Sequence, residues 1–306
     1  MPRDAPVDGL RAAILTDIDQ SARTGAPPLG HLVGLHRIQD ATDLFILAFE
    51  PTRPAMLGGP GLLEVAMLAD LALGGVLRNE VGPSLSMPTI TMTIQLAPAT
   101  ATEVRTAAAE VTAVLDRTGM SRCRLLAADG AIVGDAAGVF ALPARPYDGP
   151  GRPMPWDSPP GEEALDTAAP ELGRSNTDGC LDSIEAHALT EPEPERAWGT
   201  AHIAQQVAAT ADSIAMTPTG VLGNRLGHVQ GGAMVTAAVR AIELRTGFTA
   251  DELASVTAEF VGATTLDGLV VATVDVLKQS PRSLFARVAL TQEGQLRCHV
   301  SAVFRK

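Results

Sequence analysis

Aromatic residues are scarce: Phe, Trp and Tyr make up 3% of the 306 residues. A core with so few rings must be filled by Ala, Leu, Val, Ile and Met, and a hydrophobic content of 46% is ample for that. Cysteine is also rare. Cys123, Cys180 and Cys298 lie far apart, match no zinc or redox spacing, and are read as reduced core or strand residues. No apolar run reaches the length of a membrane span. The N-terminus, MPRDAPVDGLRAAILTDIDQ, has acids where a signal peptide needs an apolar stretch, so a cytoplasmic protein is expected. His31, His36, His187, His202 and His299 form no spaced cluster, and neither a metal nor a cofactor is expected. Positive charge is lacking as well: the formal net charge is −12, which argues against a nucleic-acid or anionic-membrane partner.

Proline is present in force in one place. The segment ALPARPYDGPGRPMPWDSPPGEEALDTAAPELG, from about Ala141 to Gly173, is too rich in it for continuous helix or inner strand. It divides the chain into a domain at 1–146, a linker at 147–172 and a domain at 173–306. The two halves resemble each other. RLLAADGAIVGDAAGVFAL closes the first and VALTQEGQLRCHVSAVFRK the second. In each, an acidic residue and glycine (Asp129-Gly130, Glu293-Gly294) separate two apolar runs, a hairpin signal, and the second run ends in Val-Phe.

Upstream, Thr89 to Leu96 alternates strictly between apolar and polar, the mark of a strand with one buried face. Ser255 to Phe260 is its counterpart. Each half also has one helix ahead of these strands, Gly61 to Leu73 and Gly232 to Ile242, the first apolar almost all round and so buried on most sides. A buried helix followed by antiparallel strands, twice over, predicts an α+β fold made of a duplicated domain, each sheet curled around its helix.

In the second half, Asn224-Arg225-Leu226-Gly227-His228-Val229-Gln230-Gly231-Gly232 leads into the helix. Paired glycines let a ligand approach the backbone, and the helix N-terminus offers N–H groups to a developing oxyanion. The pattern resembles that of the hotdog-fold acyl-CoA thioesterases of the phenylacetyl-CoA (PaaI-like) type: an Asn, His-Gly-Gly six residues on, and an acid seven residues after the second Gly. Asn224, Gly231 and Gly232 match, Gln230 stands where the family has His, and Val239 stands where it has the acid. The first half is the converse. Leu68-Ala69-Asp70 resembles the helix motif that ends in the catalytic acid, but the position seven before Asp70 is Leu63.

Each half therefore supplies what the other lacks. The resemblance implies a tandem double hotdog with a single composite site, Asp70 and Thr89 from the first half and Asn224, Gln230 and Gly231 from the second. In that reading Gly231 N–H and the Asn224 side chain hold the oxyanion. Asp70 acts as base or nucleophile, and Thr89, with Ser86 as the alternative, holds the water. Burial among Leu and Ala should raise the Asp70 pKa. Glu64, six residues earlier, falls on another helix face, and His228 is read as a surface or packing residue. Gly232, Arg282 and Arg287 are the expected substrate contacts, the arginines for the phosphates of coenzyme A. The expected partners are an acyl-CoA and a second copy of the chain. Two other functions stay open: an inactive acyl-CoA-binding or scaffold protein, and a hydratase or dehydratase, for which the helices lack a His–acid pair.

Overall fold

The computed structural model describes residues 29, 33–40, 44–49, 60–82, 87–97, 99–142, 207–209, 214–218, 220–224 and 226–306. The expected linker, the domain boundaries at 146 and 173, Cys180 and Ser86 all lie outside them.

Among the described residues, twelve strands form one antiparallel sheet with the order β1-β2-β4-β5-β6-β3-β9-β12-β11-β10-β8-β7. The first half gives β1 (Leu35–Asp40), β2 (Phe45–Phe49), β3 (Thr89–Leu96), β4 (Thr106–Leu115), β5 (Thr118–Leu126) and β6 (Ile132–Ala141). The second gives β7 (Val207–Ala209), β8 (Ile214–Met216), β9 (Leu253–Phe260), β10 (Val270–Ser280), β11 (Ser283–Gln292) and β12 (Gln295–Arg305). Outward from the centre the two halves repeat one order, with β3, β6, β5, β4 matching β9, β12, β11, β10. They meet where β3 pairs with β9, Thr91 opposite Glu259 and Gln95 opposite Ser255. At the middle of that seam the Thr93 and Thr257 hydroxyls are hydrogen-bonded at 3.0 Å. The fold is a tandem α+β hotdog.

Local sequence explains the strands. Alternation buries Met92, Ile94 and Leu96 of β3 while their neighbours face away. The β11–β12 hairpin turns on Glu293 and Gly294, with φ of 54° and 73°, the left-handed pair that a two-residue turn requires. Asp129 closes the β5–β6 turn by accepting the Ala131 N–H at 3.0 Å.

Each half wraps one long helix, α1 (Leu62–Val81) or α2 (Gly231–Thr246). α1 runs two turns beyond the expected Leu73. The Gly74-Gly75 pair reads locally as a stop, but burial of Val76 and Leu77 beyond it carries the helix on to Gly82. Each such side chain contributes about 1.5–3 kcal/mol when fully buried, so the two together outweigh the roughly 2 kcal/mol that two helical glycines cost. The helices pack on one another, and Gly232 sets how closely: a Cβ there would lie 2.9 Å from the Met67 backbone nitrogen. No helix among the described residues is long and apolar enough to cross a membrane.

Candidate active site

Asp70 sits midway along α1 and is only 7% exposed. Its carboxylate is held from both halves of the chain. Thr89, the first residue of β3, donates its hydroxyl to Oδ1 at 2.9 Å, and the Gln230 side-chain amide donates to Oδ2 at 3.0 Å. Gln230 is the N-cap of α2 and is itself buried. Burial raises the Asp70 pKa from 3.8 to about 6, against the lowering effect of the two hydrogen bonds. Two donors stabilise the charged form, but they do not replace the water it has lost.

Gly231 opens α2 directly over this carboxylate. A Cβ at Gly231 would fall 3.2 Å from Asp70 Oδ2 and 3.2 Å from Phe260 Cζ, so only glycine leaves the helix start open towards the acid. The first N–H groups of a helix have no partner within it, and the helix dipole makes that end favourable to negative charge. Asn224 is engaged differently from expectation. Its side-chain oxygen accepts the backbone N–H of Leu226 at 2.9 Å and of His228 at 3.1 Å, which ties the loop ahead of α2. Its amide NH2 is the group it can offer to a substrate.

These residues share one cavity of about 580 Å³, with Asp70, Thr89, Asn224, Gln230 and Gly231 all on its wall. The remaining wall is largely apolar, including Leu71, Met87, Ile90, Phe140, Met234 and Phe260. A carboxylate, a hydroxyl beside it and a helix N-terminus facing it, in a largely apolar pocket, suit attack by water on a carbonyl.

Other expected residues lie elsewhere. Gly232 faces α1 and does not line the cavity. Arg282 is exposed in the β10–β11 turn. Arg287 is exposed on the outer face of β11, because Ala286 and Val288 on either side of it point into the core. Neither arginine lines the cavity. Glu64 is fully buried, and its carboxylate accepts the Gly61 N–H at 3.1 Å, capping α1. His228, read as a surface or packing residue, is on the cavity wall. Phe260, which ends β9, and the Val261–Thr264 stretch after it also line the cavity, and nothing in the sequence signalled that they would.

Residues 223–305 match the family model of the acyl-CoA thioesterase N-terminal domain. That span runs from the loop before α2 through β12, so the C-terminal half is similar to a hotdog thioesterase domain. No curated protein matches the chain in sequence. Among solved structures, a provisionally named oleoyl thioesterase from Lactobacillus plantarum is similar at a TM-score of 0.50 and 12% identity, covering 91% of this chain and 98% of that one. The tesB protein of Mycobacterium avium subsp. paratuberculosis is similar at 0.50 and 13% identity, covering 93% of this chain and 99% of its own. At such identities the likeness is one of fold, and it runs through both halves.

Proposed function

We propose that the protein is an acyl-CoA thioesterase of the PaaI-like type, with one hydrolytic site built between its two hotdog halves. The observation that carries this reading is the Asp70 carboxylate of the first half, hydrogen-bonded by Gln230 of the second beneath the N-terminus of α2. Asp70 is the general base. It removes a proton from a water molecule held between its carboxylate and the Thr89 hydroxyl, whose lone pairs remain available because its proton is given to Asp70. The water oxygen bonds to the thioester carbonyl carbon. The oxyanion that forms is stabilised by the Gly231 N–H and the Asn224 amide, donors that matter most in the transition state. The C–S bond then breaks, the proton on Asp70 passes to the departing thiolate, and a free acid and a thiol leave. A thiol is a good leaving group, with a pKa of about 8.5 in cysteine, so no stronger acid is needed.

Gln230 holds the carboxylate in place. The same reading includes a cytoplasmic location and association of two chains into a dimer, the latter checked by light scattering on the purified protein. The test of function is thiol release from a panel of acyl-CoA thioesters, measured with a free-thiol reagent. Release by wild-type protein that is abolished in Asp70→Ala supports the proposal. Binding of acyl-CoA without release at any chain length refutes it in favour of an inactive acyl-CoA-binding protein.

A further inference from the structure

The part of the cavity wall contributed by α1 is a single stripe: Met67, Asp70, Leu71, Gly74 and Arg78. That is the spacing of one helix face, and most of it lies on the C-terminal side of Asp70. Within the stripe, Gly74 has no packing reason to be glycine. Its neighbour Gly75 does, since a Cβ there would lie 2.5 Å from Phe45 Cε1. At Gly74 the nearest atom to an added Cβ is Phe140 Cε1 at 3.5 Å, an ordinary contact, and the backbone there is regular helix. Glycine is among the poorest helix formers, and alanine would fit. The missing side chain leaves open space in the cavity beside Phe140, four residues from the base. Met87, Ile90 and Leu71 on the surrounding wall are apolar, which suits hydrocarbon and not the amide-bearing pantetheine arm.

We infer that Gly74 is the floor of a groove that receives the hydrocarbon part of the acyl chain, and that it sets the chain length the enzyme accepts. The inference rests on the thioesterase reading above. Gly74 lies about 6 Å along α1 from Asp70 and Arg78 about 12 Å, distances that an extended chain covers in about five and ten bonds. A butyryl chain ends before Gly74, whereas octanoyl and decanoyl chains pass over it. A longer chain meets the charged side chain of Arg78 and gains nothing further.

The test compares wild type, Gly74→Ala and Gly74→Leu on butyryl-, octanoyl- and decanoyl-CoA, with thermal melts to establish folding. In wild type, kcat/KM should rise about fourfold per methylene from butyryl towards decanoyl, the worth of burying each group. In Gly74→Leu the decanoyl-to-butyryl ratio should fall about ten- to a hundredfold, because the leucine occupies the path of about three methylenes. Gly74→Ala, which should fold even if the leucine variant does not, should lower the ratio severalfold. An equal loss at all chain lengths, or an unchanged ratio in a folded variant, overturns the inference and leaves the thioesterase reading intact. Failure of wild type to release thiol from any of the three overturns the inference, and the thioesterase reading falls with it only if the wider acyl-CoA panel gives no thiol either.

Discussion

Replacing Asp70 by Asn should stabilise the protein while disabling it. A carboxyl raised from 3.8 to about 6 by burial is held in its neutral form more strongly in the folded chain than in the unfolded one. Between those two values the folded chain binds more protons, so stability falls as pH rises through the window and stays lower above it. The shift corresponds to about 3 kcal/mol, fully expressed at about pH 8 and about one third expressed at about pH 4.5. The substituted amide would be neutral at every pH and would keep an acceptor for Thr89, while Gln230 would have to turn its own amide to face the new NH2 group. Allowing about 1 kcal/mol for that rearranged hydrogen bond leaves a net gain of about 2 kcal/mol at neutral to basic pH. For a chain of this size that is a rise in Tm of about 2–5 °C. The assay is a pair of thermal melts, wild type and variant, at about pH 8 and about pH 4.5, alongside thiol release from an acyl-CoA. The expected pattern is a variant that melts higher at the basic pH, with the gap narrowing on acidification, and a rate loss of about 10²–10⁴, the span assigned to a general base. A variant that melts lower than wild type at the basic pH, or a gap independent of pH, would refute the claim that a buried charge is being carried for catalysis.

Three further outcomes follow from the same geometry. The kcat/KM of wild type should climb with unit slope from acid pH and level off above about 6, as Asp70 becomes the ionised base; a flat profile down to about pH 5 contradicts this. Thr89→Val removes a hydrogen bond that lowers the Asp70 pKa, so the acid limb should move to higher pH while the plateau rate drops about ten- to a hundredfold; a fall in rate with no displacement of the limb would assign Thr89 to packing alone. Gly231→Ala pushes a methyl to within 3.2 Å of Asp70 Oδ2 and Phe260 Cζ, and displacement of the helix start on that scale should cost about a hundredfold in kcat, read from thiol release at saturating substrate.

What could be read from the sequence was local. Strict alternation marked Thr89 to Leu96 with the bounds that β3 has in the structure, and the Asp129-Gly130 and Glu293-Gly294 turns marked the closing hairpins of both halves. The three-residue strands β7 and β8 are too short to show a period, and β2, FILAF, is apolar throughout and so does not alternate. Gly74-Gly75 masked the far end of α1, because the burial of Val76 and Leu77 that outweighs them is a tertiary effect. For the candidate site, the resemblance to the hotdog thioesterases nominated Asp70, Thr89 and Gln230, but not what Gln230 does. Its partner lies 160 residues away in sequence, beyond any local pattern. The same limit applies to the Phe260–Thr264 stretch, which reaches the cavity only because β9 ends there. Arg282 and Arg287 were nominated by charge alone, and charge says nothing of which sheet face a strand residue takes.

The shared site is tested most directly by a double-mutant cycle joining the two halves, Asp70→Asn with Gln230→Ala, read as kcat/KM for one acyl-CoA. If the Gln230 amide acts only by holding the Asp70 carboxylate, its loss should lower the rate of wild type but leave the Asp70→Asn background nearly unchanged, a strong non-additivity. Losses that simply multiply would mean that the two residues act independently, and that no common site joins the halves.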